Sequence, residues 1–195
     1  DHSDIKVITA MNSKTLSIKS SPPQQRGSSG GAKKRYAGLI EAEGKASIDF
    51  VGLEYVRRDW TEAAKEFQHD LLWKVFHDEP VDEYVRSFVE EVRNGEHDQK
   101  LVYTKGLSKA PSEYTKTTPQ HVKAAKKLDD FDNNVISYVM TVDGPEPIQQ
   151  VTHSIDYDHY VEKQLKTVAS SILSVLDKTF YDVMQGTEQL DLSSF

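Results

Sequence analysis

The sequence predicts an α+β fold, mainly helical, with a long helix near its C-terminal end and a β-hairpin ahead of the helices. Three observations carry this. Two short runs, 34–42 and 47–51, are rich in apolar, β-branched and aromatic residues and flank a turn at Gly44. Apolar residues then recur at helical spacing through 60–75 and again through 81–92. The same period returns over 157–183 and lasts long enough for a helix of about thirty residues.

The elements follow in order. Residues 1–32 are weakly patterned, and from Ser17 to Gly31 they are dominated by Ser, Gly, Pro and Gln, which read as a linker. After the hairpin, Asp59 fits a helix N-cap, with Glu62 three residues on completing a capping box. The helix it opens is expected to run to about Phe76 and to bury a stripe of Trp60, Ala64, Phe67, Leu71 and Val75. Pro80 suits the first turn of a second helix and Gly95 its stop, with Val81, Tyr84, Val85, Phe88 and Val92 on the buried face. Both helices carry acidic outer faces.

Leu101 to Thr104 is expected as a short strand, after which Gly106, Pro111 and Pro119 punctuate a lysine-rich loop. A short basic helix follows from about Pro119 to Leu128. Val135 to Val142 has the composition of a strand, and Gly144, Pro145 and Pro147 end it in a turn. The last helix starts near Asp156, with Tyr157, Val161, Leu165, Val168, Ile172, Leu176, Phe180 and Val183 on one stripe. At 1.5 Å per residue it would be about 45 Å long, a spine for the whole domain. Gly186 then releases the chain into a tail.

With 195 residues, 37% of them hydrophobic, the chain can bury one substantial core. Its mean hydropathy of -0.61 is on the polar side. The longest uncharged apolar-rich run, Val168 to Leu176, is less than half of the roughly twenty residues that a membrane-spanning helix takes. The N-terminus lacks the basic start and apolar centre of an export signal. The absence of cysteine excludes disulfide and thiolate-metal chemistry, and the expected location is the cytoplasm.

The formal net charge of -7 argues at first against nucleic acid. Its distribution does not: residues 1–58 and 100–127 are net basic, whereas 59–98 and 128–195 are net acidic. It is the face, not the total, that steers a charged ligand.

Nothing in the sequence matches a Gly-rich phosphate loop, a paired-histidine metal motif or a nucleophile elbow. The seven histidines are scattered without metal spacing, and Asp156 and Asp158 are read as helix-start acids rather than a catalytic pair. The run Lys33, Lys34, Arg35, Tyr36 stands out. In an extended strand it places donors on both faces, which suits a strand lying against a duplex, with cations at phosphates and minor-groove acceptors.

KKRYAGL at 33–39, followed by VGLEYVRRDWT at 51–61, resembles the region that follows the catalytic motifs of family B DNA polymerases. LVYTKGLSKAPSEY at 101–114, TPQHVKAAKKL at 118–128, ISYVMTVDGPEP at 136–147 and IDYDHYVEKQL at 155–165 resemble the thumb of the same family, in the same order. The bacterial branch of the family is the one the chain looks like.

The resemblance divides the chain into a leading segment 1–32, the end of the palm at 33–58, a thumb at 59–185 and a tail at 186–195. It implies that Lys33, Lys34, Arg35 and Tyr36 sense the minor groove behind the primer end and that Arg57 and Arg58 lie at the palm-to-thumb junction. It also puts Lys105, Lys109, Tyr114, His121 and Lys123 close to the duplex backbone. Primer–template DNA and the remaining palm, fingers and exonuclease are the implied partners. Mg²⁺ is implied for the parent polymerase and no cofactor for this chain, because the palm aspartates that hold the ions have no counterpart in it. The expected contribution is thus duplex grip without catalysis.

The tail, with Gln189, Leu190, Leu192 and Phe195, resembles the bacterial sliding-clamp-binding signature, in which apolar anchors fill a pocket on the clamp. A free-standing, polymerase-derived accessory protein that binds DNA or clamp is the alternative expectation. A protein-interaction module using the acidic helices is a third.

Overall fold

A computed structural model describes residues 13–17, 35–42 and 44–186. The fold is α+β, with two small antiparallel sheets and helices sharing one apolar core.

The hairpin forms as expected: β2 (Tyr36–Ala42) pairs antiparallel with β3 (Lys45–Val51), from Tyr36↔Val51 to Ala42↔Lys45. Gly44 turns the chain with a φ of +74°, in the left-handed region that glycine reaches without strain. Ala37 and Leu39 face the core, Ala37 directly opposite Phe50, while Ile40 faces outward. A third strand, β1 (Ser13–Ser17), pairs along the other edge of β2, with Ser13 opposite Ile40 and Ser17 opposite Tyr36. The sequence pattern gave no strand there, because SKTLS has one large apolar residue and no run of alternation.

Helix α1 (Glu62–Phe76) ends where predicted and starts under a different cap. Thr61 is the N-cap, its hydroxyl accepting from the Ala64 N–H at 3.3 Å. Asp59 is drawn away by Arg57, which donates to both its oxygens at 3.0 and 2.6 Å. The buried face holds Ala64, Phe67 and Leu71 as predicted; Trp60 and Val75 lie at its partly buried margins. Helix α2 (Asp82–Arg93) packs Val85, Phe88, Val89 and Val92 inward, and the Phe67 and Phe88 rings meet at 5.0 Å. Pro80 precedes the helix rather than entering its first turn, and Gly95 stops it with a φ of +81°.

The second sheet has the order β4-β5-β6. Strand β4 (Tyr103–Gly106) begins two residues after the predicted start, because Leu101 is buried at the close of a 3₁₀ turn, Asp98–Lys100. Strand β5 (Val135–Thr141) lies in the middle, Tyr138 opposite Tyr103. The predicted turn at 144–147 is instead an edge strand, β6 (Gly144–Pro147), which tolerates Pro145 and Pro147 because an outer edge needs no N–H from them. Helix α3 (Gln120–Ala125) is shorter than predicted.

The expected 45 Å helix is broken. Helix α4 (Tyr157–Tyr160) runs through one π-helical turn, Val161–Leu165, into α5 (Lys166–Leu173) and a 3₁₀ turn, Ser174–Leu176. Asp177 then turns left-handed at a φ of +55°, and Thr179 caps a separate helix, α6 (Phe180–Gln185), accepting from the Asp182 N–H at 3.1 Å. Lys178 ties this corner to Asp82 of α2 at 2.6 Å. Gly186, at a φ of +56°, ends α6 as predicted. Among the described residues, no helix is long and apolar enough to cross a membrane.

Candidate nucleic-acid interface

Lys33 and Lys34 lie outside the described residues. Tyr36 opens β2, paired with both Ser17 and Val51. Arg35, one residue earlier, turns inward: its guanidinium pairs with the Glu54 carboxylate, and the two side chains are 19% and 6% exposed. Glu54 also accepts from Gln68 Nε2 at 2.7 Å, and Gln68 Oε1 accepts from the Tyr55 N–H at 2.8 Å.

After β3, a 3₁₀ turn at Glu54–Val56 delivers Arg57 and Arg58 to the surface. Arg57 is occupied by Asp59. Burial pushes the Asp59 carboxyl up, yet the Arg57 hydrogen bond and charge, with the field of Lys105, hold it below the usual carboxylate range. Arg58 lines a cleft of about 830 Å³ between the start of α1 and β4, with Lys65, Lys100 and Lys105 on its walls. Lys100 is paired with Glu66. Among the described residues, Arg58, Lys65 and Lys105 have neither a carboxylate within ion-pair reach nor a side-chain hydrogen bond, although Asp59 and Glu62 also line the cleft.

A smaller recess of about 320 Å³ adjoins it, sharing Asp59, Thr104 and Lys105 and adding His121 and Tyr138. Burial and the charge of Lys105 push the His121 imidazole below its ordinary value, which favours the neutral ring.

Lys109 and Tyr114 pack on each other in the loop before α3. The ammonium sits 4.7 Å from the ring centre and donates to the Glu113 carbonyl at 2.8 Å. The hydrogen bond with the Ser108 side chain leads in pushing the Tyr114 hydroxyl down, and the Ser108 N–H and Lys109 charge add to it. Lys123 is exposed on α3, its ammonium without an ion pair among the described residues.

The structure therefore brings Arg58, Lys105 and His121 around two joined recesses. It engages Arg35 and Arg57 with carboxylates and sets Lys109 against Tyr114. Lys65 was missed by the sequence reading because it lies in the acidic stretch 59–98, and its one signal was its place in the first turns of α1.

One group of possible metal ligands occurs among the described residues: Asp143, Glu146 and His153, with ligand atoms within 4.8 Å of one another. It does not fit Mg²⁺. Glu146 accepts from the N–H groups of Thr152 and His153 at 2.8 and 3.2 Å and meets His153 Nδ1 at 2.5 Å. The Lys127 ammonium, 3.8 Å from Asp143 and 4.0 Å from Glu146, already supplies the cation.

Comparison with known proteins bears on what this surface serves. The family model described as DNA polymerase family B matches residues 31–176. DNA polymerase II of Escherichia coli (strain K12) is 41% identical over 175 residues, and DNA polymerase 2 of Aeropyrum pernix is 38% identical over 180. A DNA polymerase of Pyrococcus horikoshii is 34% identical over 182 residues. Each comparison covers 84% of this chain but only 22%, 22% and 14% of the respective relative. The chain thus spans less than a quarter of each relative's length. The family match begins just ahead of the Lys33–Tyr36 element and reaches the 3₁₀ turn that ends the last long helical run, and on that extent the chain belongs to DNA polymerase family B.

Proposed function

We propose that this chain is the DNA-binding thumb region, with the end of the palm, of a DNA polymerase II-like, DNA-directed DNA polymerase. It grips the primer–template duplex and tethers the enzyme to a bacterial sliding clamp during replication and repair synthesis in the cytoplasm.

The observation that supports this reading is the cleft in which Arg58, Lys65 and Lys105 have no ion pair among the described residues, although Asp59 and Glu62 also line it. Unpaired cations on one concave surface suit the phosphate backbone, whose recognition is electrostatic and independent of sequence. Tyr36, Lys109, Tyr114, His121 and Lys123 belong to the same proposed surface. Templated nucleotide addition belongs to a longer polymerase whose remaining palm and fingers supply the Mg²⁺ carboxylates. The clamp contact through Gln189, Leu190, Leu192 and Phe195 falls outside the described residues and rests on their sequence.

Anisotropy of labelled primed duplex against salt tests the grip. Binding should be weak, indifferent to sequence and steeply reduced by salt; binding that ignores salt would refute it. Calorimetry with purified clamp, with and without residues 189–195, tests the tether. Equal affinity for both forms would refute it.

A further inference from the structure

We infer that Arg35 is a positioning residue rather than a phosphate contact: through Glu54 and Gln68 it braces the start of β2 against α1. The inference rests on the DNA-binding reading above and sharpens what one residue of that surface does.

The geometry is a relay of three side chains. Arg35 sits immediately before β2, its guanidinium on the Glu54 carboxylate. Glu54 lies in the 3₁₀ turn after β3, and its second oxygen accepts from Gln68 Nε2 at 2.7 Å. Gln68, in the middle of α1, has no exposed surface, and its Oε1 receives the Tyr55 N–H at 2.8 Å. One chain of hydrogen bonds therefore joins the entrance of the hairpin, its exit and the first long helix.

Turning Arg35 toward a phosphate would strand the Glu54 carboxylate without a counter-charge in a nearly dry setting. That penalty exceeds what an exposed phosphate contact returns. Tyr36 is the next residue along, paired with Val51, so holding Arg35 also fixes the proposed minor-groove strand against the helix.

The two roles give opposite signs for one substitution. Glu54→Gln deletes a negative charge and frees Arg35, so a phosphate-contacting Arg35 predicts tighter DNA binding. A positioning Arg35 predicts weaker binding, because the fixed placement of its strand is lost.

The full 195-residue chain and its Arg35→Gln, Glu54→Gln and double variants would be titrated with primed duplex across a salt series, and their melting temperatures recorded. Val92→Ala, buried in α2, which contributes no member of the relay, serves as the stability control. Both single variants should bind about tenfold more weakly, the double no more weakly than the worse single, as members of one network do. The salt slope should hold, because the unpaired cations of the cleft continue to neutralise phosphates. Val92→Ala should bind like the unaltered chain.

Tighter binding by Glu54→Gln, or a slope reduced by about one unit in Arg35→Gln, would make Arg35 a phosphate contact and overturn the inference. So would equal weakening by Val92→Ala. Absence of salt-dependent binding by the unaltered chain would instead remove the DNA-binding reading itself.

Discussion

The free cations of the cleft give the sharpest test of the proposed grip. The perturbation is the triple replacement Arg58→Ala, Lys65→Ala and Lys105→Ala, three residues without an ionic partner among the described residues. Each cation that neutralises a phosphate adds about 0.9 to the slope of log affinity against log salt, so three contacts add about 2.7. Between 50 and 200 mM salt that slope alone corresponds to about a 40-fold loss of affinity. The triple variant should lose that part of the salt dependence and bind every duplex sequence more weakly at low salt. The matched control is Lys74→Ala with Lys178→Ala, whose ammonium groups are held by Glu79 and Asp82 at 3.0 and 2.6 Å. Anisotropy of a labelled primed duplex at four or five salt concentrations supplies the slopes. Equal slopes for the unaltered chain and the triple variant would show that these cations do not meet phosphates.

Other expectations concern stability and chemistry. Asp177→Gly should raise the urea midpoint by an amount equivalent to roughly 0.5–1 kcal/mol, because it removes the Cβ from a left-handed backbone position; a lowered midpoint would contradict this. Thr61→Ala should cost about 1–2 kcal/mol, since it deletes the α1 cap and the hydroxyl donor to buried Gln164, and Thr61→Ser should recover most of it in the same melts. Burial pushes the Glu146 carboxyl up, but the His153 hydrogen bond and the N–H groups of Thr152 and His153 bring it down to about 2. Its stabilisation is therefore present above the ordinary carboxylate range and lost as pH falls from about 5 toward 2, and Glu146→Gln should flatten that acid limb. The pure chain with Mg²⁺ and four nucleotides should not extend a primed template; extension abolished by mutating one of its own acids would overturn that.

Much of the fold was legible because its signals are local. The hairpin announces itself through Gly44 and the runs beside it, and α1 and α2 through apolar periods that place Phe67, Leu71, Val85 and Phe88 in the core. The errors have physical causes. Asp59 is a good N-cap in isolation, but Arg57 two residues away competes for its carboxylate. The long-helix stripe continues through Phe180 and Val183 because both reach the core, so periodicity cannot register the turn at Asp177. Thr179 was the available sign, a capping residue just ahead of Phe180. Strand β6 was read as a turn from its prolines, which mark edges as readily as turns.

The candidate site was legible by residue type but not by availability. Arg35 and Arg57 look like Arg58 in the sequence, yet they are paired with Glu54 and Asp59, respectively 19 and two residues distant. Only the three-dimensional pairing separates a cation engaged by a carboxylate from one left without an ion pair. Arg86, Arg93, Lys100, Lys166 and Lys178 are likewise held by Glu83, Asp158, Glu66, Glu162 and Asp82. The carboxylates of the acidic stretches thus take up many of the cations, Lys100 on the cleft wall among them, and leave Arg58, Lys65 and Lys105 without an ion pair among the described residues on the walls of that cleft. A chain with a net charge of -7 can in this way present a local positive face, because pairing, and not the sum, decides which charges reach the solvent.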